Sequence, residues 1–337
     1  LTKFSSVFGI SYATISIDKI GVTTSKGIDT LNLKTPFTAT VHMVYGGGTG
    51  TKSNPFTIGC NRHFYNLELN RNRNTYFQMT TDSININGEG IDVFYGYLNY
   101  SNFSDNWEVE NDRYNITWRA DVEVEGIIKE NYGTIMNLQM RTRLTDGDRQ
   151  SLYDAGGIVS ENKETGVIRC CSVELSVSKT VVYSGSIGGI AGINNGVIEY
   201  SWVASQVKTV GNYGGIASTN NGTIRYCETT GSIQQEITKS LDYFNNTCVG
   251  GIAAINNGTI QSCTVGTDFD SYLHINIVAE KIDNEQLAPY AGPVAGQNNG
   301  NISGCTADRY SIDTGNLHSW REWFHTYDQL KNINNII

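Results

Sequence analysis

Residues 214–229 read GGIASTNNGTIRYCET, and residues 250–265 read GGIAAINNGTIQSCTV. The same cassette appears as GGIAGINNGVIEYSWV over 188–203, as GPVAGQNNGNISGCTA over 292–307 and, with two extra residues, as GGIVSENKETGVIRCCSV over 156–173. A degenerate copy, EGIIKENYGTIMNLQM, occupies 125–140. The turn glycines are Gly133, Gly166, Gly196, Gly222, Gly258 and Gly300, separated by 33, 30, 26, 36 and 42 residues. A recurring corner with a variable length of chain between copies marks a solenoid, in which coils stack and insertions are taken up elsewhere.

The chemistry of the cassette agrees. Gly-Gly before Ile-Ala reads as a tight corner feeding a short strand, because glycine tolerates positive φ and the close approach of a neighbouring coil. Asn-Asn-Gly then bends the chain through residues at ease in left-handed conformations. Thr or Val followed by Ile starts the next strand, since β-branched side chains suit a pleated surface. The isoleucines Ile135, Ile168, Ile198, Ile224, Ile260 and Ile302 each lie two residues past a turn glycine. Stacked at about 4.8 Å per coil, they form one internal apolar ladder that no coil can bury alone. The expected fold is all-β: a right-handed parallel β-solenoid (β-helix) over 121–310, with a β-rich N-terminal segment and a short C-terminal helix.

The pattern GGIAGxNxGxIxxC resembles the GLUG repeat, found in bacterial surface adhesins and in non-catalytic regions of secreted IgA-type peptidases. The resemblance spans residues 125–308 and is densest from Gly214 to Cys227. Copies depart from it at Glu125, before Gly166, and at Pro293 and Val294. Residues 54–87, NPFTIGCNRHFYNLELNRNRNTYFQMTTDSININ, are similar to a leader that precedes such repeats. That likeness implies a short helix around RHFYNL, then a strand ending near Asp82 to Asn87. It also implies a bacterial surface protein, structural or adhesive, that presents loops for binding.

Outside the cassettes the chain divides into a segment over 1–50, the leader over 51–120 and a tail over 311–337. Residues 1–50 alternate at period two and read as strands. GGGTGTKSNP, from Gly46 to Pro55, is the best linker. In the tail, Ser319 and Glu322 make a capping box, and Trp320, Trp323, Phe324, Tyr327 and Leu330 recur at helical spacing. Such a helix either caps the open end of the solenoid or docks onto a following domain or subunit. Leu1 is not an initiator Met, so the chain reads as trimmed or excised from something longer.

Charged residues are only 17% of the chain, so its polarity comes from hydroxyls and amides, as on an extracellular β-protein. The net charge of −9 comes without any basic stripe, which excludes nucleic acid and anionic membrane as partners. No apolar run reaches the length of a membrane-spanning segment. With 36 Gly but 4 Pro, the glycine belongs to regular turns rather than to a disordered linker.

Cys171, Cys227, Cys263 and Cys305 each lie five residues after a turn glycine, with Ser201 at that place in the Gly196 copy. An in-register ladder holds their Cβ atoms parallel and slightly too far apart for an unstrained bridge, so they read as a buried row of free thiols. Cys60, Cys170 and Cys248 lie outside that row, and their pairing is open. His42, His63, His274, His318 and His325 lack metal-ligand spacing and read as polar surface residues. TDGD, from Thr145 to Asp148, reads as a turn rather than a calcium loop. Asp121, Glu123 and Glu125 alternate on one strand face, an arrangement that carries hydrolysis in some β-helix enzymes, but they read more simply as a solvated edge. Neither catalytic residues, a metal site nor a cofactor is assigned.

The 19 Tyr, with Phe94, Tyr95, Tyr97, Tyr100 and Phe103 crowded before the repeats, suit glycan or protein contact. The longest inserts, Gly231 to Val249 and Val265 to Ala291, are expected to be loops carrying specificity. The expected function is a non-enzymatic extracellular or bacterial cell-surface segment that binds a glycan, a protein or neighbouring subunits. The alternative is a carbohydrate-active β-helix enzyme, a polysaccharide hydrolase or lyase.

Overall fold

The structure is a computed structural model. It describes residues 12–25, 27–42, 44–81, 84–87, 90–100, 116–121, 126–145, 154–177, 186–237, 247–266, 272–279, 290–307 and 310–313. The tail with its expected helix lies outside them. The solenoid is present: the coils contribute to four sheets, all paired in parallel. One coil shows the plan, with strands Tyr213–Gly214, Ala217–Asn220, Thr223–Arg225 and Glu228–Ile237. Its equivalents join a five-, a seven-, a nine- and a ten-stranded sheet respectively.

Register makes each cassette position a row along the axis. Ile135 pairs with Ile168, and the row continues through Ile198, Ile224 and Ile260 to Ile302. The first five are fully buried, and Ile302, in the last cassette coil, is half-buried. The row also extends upstream through Leu98, Phe77 and Phe56, which belong to no cassette. The leader is thus built into the same sheets, with strands Phe56–Ile58, Tyr76–Met79, Ile84–Asn87, Ile91–Phe94 and Tyr97–Tyr100.

A second buried row is polar. Asn131, Asn162, Asn194, Asn220, Asn256 and Asn298 stack in register. Each donates its side-chain Nδ2–H to the Oδ1 of the next, at 2.8, 2.8, 2.8, 2.8 and 2.7 Å. The first five have no exposed surface. A buried amide is costly unless bonded, and here its donors also reach carbonyls such as Gly133 O and Gly196 O.

The glycines serve contact rather than unusual torsion. None of the six turn glycines, nor the pairs at 156–157, 188–189, 214–215 and 250–251, has positive φ. A Cβ on Gly222 would strike the carbonyl of Gly196, and one on Gly258 that of Gly222. The second glycine of each pair likewise faces the next coil, Gly157 against Gly189 O and Gly215 against Gly251 O. The left-handed position is instead four residues past the turn glycine. It is held by Asn137, Cys170, Tyr200, Tyr226, Ser262 and Gly304, at φ between 51° and 60°. There the chain arches from the nine- into the ten-stranded sheet, and the backbone N–H still donates along the axis, as from Tyr200 to Arg225 O at 3.1 Å.

At the N-terminal end a helical turn, Asn61–Tyr65 followed by the 3₁₀ turn Asn66–Leu69, buries Phe64 and Leu67 against the first strands of three sheets. The expected linker is tied to the first coil, with Gly46 N donating to Thr57 O at 2.7 Å and Tyr76 N to Gly50 O at 2.9 Å. Residues 1–50 do supply strands: Tyr12–Thr24 pairs antiparallel with Gly27–His42 as a separate two-stranded sheet.

Replacing Asn220 with Leu deprives Asn194 of its acceptor and Asn256 of its donor. A loss of about 2–4 kcal/mol is expected, from about 1–3 kcal/mol for each buried polar group left unbonded. Asn221→Ala, on the outer surface one residue away, is expected to cost under about 0.5 kcal/mol. Urea denaturation of the two variants checks this, and equal losses would refute the structural weight given to the buried row.

Candidate binding surface

Because the interior is filled by stacked rows, functional side chains must stand on the outer corners. The arch position supplies one such row. Tyr200 and Tyr226, both in left-handed backbone, project outward, 42% and 44% exposed, with rings stacked at 4.9 Å between centroids and 12° between planes. Non-glycine residues occupy this conformation at a steric cost. The parallel coils on both sides make it obligatory, and the two rings stay aligned.

Beside them, one residue earlier in each coil, Arg169, Glu199 and Arg225 form a second row. The Glu199 carboxylate, nearly buried, accepts from Arg225 Nε at 2.7 Å and lies 3.4 Å from Arg169 Nε. Two guanidiniums share one carboxylate, leaving this patch net positive on a chain of net charge −9. A stacked aromatic pair flanked by fixed hydrogen-bond donors offers ring edges and hydroxyls to a sugar or an apolar side chain, while the donors grip its polar groups. Another aromatic column, Tyr95 on Tyr132 at 4.9 Å, stands at the corner before the turn glycines.

Other residues singled out from sequence fall elsewhere. Phe94 is fully buried, Tyr100 packs against the core, and Tyr97 stacks on Tyr76 at 4.4 Å, so much of that aromatic cluster is structural. Phe103 lies outside the described residues. His63 is not a surface residue: it is 2% exposed, and its Nδ1 accepts from Gly59 N at 3.2 Å. Burial, then the neighbouring Arg62 charge, lowers its pKa. His274 Nδ1 lies 2.6 Å from Ser311 Oγ. The His42 side chain, Glu123, Glu125, His318, His325 and Asp146 to Asp148 are outside the described residues, while Asp121 and Thr145 end strands.

The long inserts are not wholly loops. Gly231 through Ile237 pairs with Leu273 through Ala279, and Leu273 through Asn276 pairs in turn with Tyr310 through Asp313. Insertion has lengthened the sheet there: the strand runs on through Gly231 (φ 114°), which pairs with Ser205 on one side and Leu273 on the other. Among the described residues no group of three or more His, Cys, Asp or Glu is arranged to hold a metal ion. Nor, among those residues, is any helix long and apolar enough to cross a membrane.

Cys171, Cys227, Cys263 and Cys305 stand in one buried row with Ser201, all unpaired. Ser201 Oγ accepts from Cys171 N at 3.2 Å, and Cys305 Sγ from Cys263 N at 3.4 Å. Cys60 is exposed and Cys170 half-buried, each also free, and Cys248 is buried.

Compared with protein-family models, with curated proteins and with solved structures, the chain matches none.

Burial pushes the Cys171 thiol up to about 12, and Cys248 likewise to about 12. Cys263 and Cys305 are also raised, first through hydrogen bonds to their thiol neighbours, Cys227 and Cys263, and further by burial. A pKa raised by folding stabilises fully below the unfolded thiol value of about 8.5 and ceases to do so as pH climbs through the folded value. The melting temperature should therefore hold from neutrality to about pH 8.5 and fall progressively above it. At neutral pH iodoacetamide should modify Cys60 and spare the four-thiol row until urea unfolds the chain, which peptide mass spectrometry reads directly.

Proposed function

We propose that this chain is a non-enzymatic structural and adhesive segment of a secreted or bacterial surface protein, a rigid solenoid whose corners bind an extracellular glycan or protein. The observation that carries the reading is the Tyr200–Tyr226 pair. These are two large aromatic rings held stacked, nearly parallel and exposed, beside the Arg169–Glu199–Arg225 row, by a backbone that the coils on each side constrain. Rings arranged this way lose little freedom on contact, which favours binding over mere solvation. The likeness of the cassette to the GLUG repeat and the low charge of the chain point to the same setting.

The test is a panel of glycans and extracellular-matrix proteins, scored separately for retention of the chain and for release of reducing ends. Retention without release is expected. Changing Tyr200 and Tyr226 together to Asn removes the rings yet suits the left-handed backbone, as Asn137 does in the equivalent place. This double variant should weaken retention by about tenfold or more, equivalent to about 1.4 kcal/mol, with an unchanged melting temperature. Steady release of reducing ends by the wild type would overturn the non-enzymatic reading.

A further inference from the structure

The corner before the turn glycines carries a different row. Gly96 pairs in space with Gly133, so Tyr95 and Tyr132 occupy the place that Asn195, Asn221, Asn257 and Asn299 hold in later coils. Those outer asparagines form their own ladder, each amide donating to the preceding Oδ1 at 2.9 Å. Asn195 in turn donates to Glu161 at 2.7 Å, and Glu161 and Glu130 share Lys163. The corner is therefore continuous, aromatic and cationic at one end and amide-lined at the other.

The cationic end is built. In the segment Asn70 to Asn74 (NRNRN), Asn70 is half-buried and ties the loop to the coil: its Nδ2 donates to Tyr95 O at 2.9 Å, and its Oδ1 accepts from Thr75 Oγ1 at 3.0 Å. Asn72 Oδ1 accepts from Asn74 N at 3.0 Å. The alternating arginines are left exposed over the rings. Arg71 lies 5.8 Å from the Tyr95 centroid, and Arg73 lies 5.9 Å from Tyr95 and 6.0 Å from Tyr132. Lys163 lies over Tyr132 at 5.9 Å but is neutralised by its two carboxylates. Neither Arg71 nor Arg73 is paired with a carboxylate among the described residues. They are thus two guanidiniums positioned by rings and loop, with their N–H forks directed to no acid among the described residues.

We propose that this corner is the track of an acidic polysaccharide lying along the solenoid axis. Its carboxylate or sulfate groups would sit at Arg71 and Arg73, and its hydroxyls along Asn195, Asn221, Asn257 and Asn299. The spacing selects a glycan over an acidic peptide. Coils rise by about 4.8 Å, whereas an extended peptide advances about 3.3 Å per residue. A sugar in an extended polysaccharide advances by about one coil. From Tyr95 to Asn299 the track runs about 30 Å at that rise. The assignment rests on the adhesive reading given above and names the ligand class for one of its corners.

Titration calorimetry with oligogalacturonate, with chondroitin sulfate and with neutral dextran tests it. Binding of at least one acidic glycan and not dextran is expected, tighter for long than for disaccharide probes. Binding of oligogalacturonate shows that carboxylates suffice, whereas binding of chondroitin sulfate alone, which carries both groups, shows that sulfate is required. Arg71→Gln with Arg73→Gln should weaken binding by about tenfold or more. Lys19→Gln with Lys34→Gln, removing equal charge from the N-terminal hairpin, should weaken it by less than about twofold. Equal losses in the two double variants would reduce the effect to bulk charge and overturn the site. So would polyglutamate binding that is also lost with Arg71 and Arg73. If no acidic glycan binds while a neutral glycan or protein is retained through Tyr200 and Tyr226, the track is refuted and the adhesive reading stands. If nothing is retained at all, both fail.

Discussion

The buried asparagine row is the constraint on which the cassette region depends. Apolar side chains alone would allow neighbouring coils to pack in several ways, because Ile on Ile is tolerant of small displacement. An amide without exposed surface is not tolerant. It must find a donor and an acceptor at fixed separation, and the amides of the two neighbouring coils, in register, supply them: the preceding one donates and the next accepts. From Asn131 to Asn298 the direction of donation never reverses. The close glycine contacts go with this. A Cβ on Gly166 would strike the Asn162 side chain, and one on Gly222 the Gly196 backbone. Bulk at those places would push the coils off the amide spacing.

Once register is fixed at one corner, the rest of each coil gains latitude. Chain can be inserted after the ten-stranded sheet without disturbing Asn or Ile, and the strand Leu273–Ala279 shows inserted sequence becoming additional sheet. Stacking also converts scattered residues into rows. Arg169, Glu199 and Arg225 are 30 and 26 positions apart in the chain, yet their side chains lie within ion-pair distance. The same geometry aligns Tyr200 with Tyr226 and Tyr95 with Tyr132. A corner row is therefore a natural unit of binding on this scaffold, and its composition can drift from aromatic to amide along the axis while the core repeats.

What could be read from the sequence was whatever keeps one residue type at one offset. The isoleucines and turn glycines do so, and the solenoid followed from them. The first Asn of the Asn-Asn-Gly triplet was equally visible, but its turn-forming tendency supplied a sufficient explanation, so the buried ladder stayed hidden. The left-handed arch was harder still. Asn137, Cys170, Tyr200, Tyr226, Ser262 and Gly304 share a backbone conformation and no chemistry, because the neighbouring coils impose it and the side chain points to solvent. Phe56, Phe77 and Leu98 continue the isoleucine row without any cassette around them. Of the candidate binding corners, the tyrosine excess was legible, but which rings are exposed depended on register. The pairing of Arg71 and Arg73 with rings on two successive coils depended on the fold of the NRNRN segment.

The ends of the array obey the same constraint by breaking it. At the start, Phe94 takes the place that Asn131 holds one coil later, so the amide row begins against an apolar ring. The helical turn with Phe64 and Leu67 then covers the core there. Toward the other end, Gly157, Gly189, Gly215 and Gly251 each donate an N–H to the first glycine of the next coil, the last to Gly292 at 3.2 Å. Pro293 stands where the next donor belongs and has no N–H to give. A further identical coil would find this strand unable to continue the ladder. The departure of the final copy from the cassette therefore withholds one ladder donor at this corner.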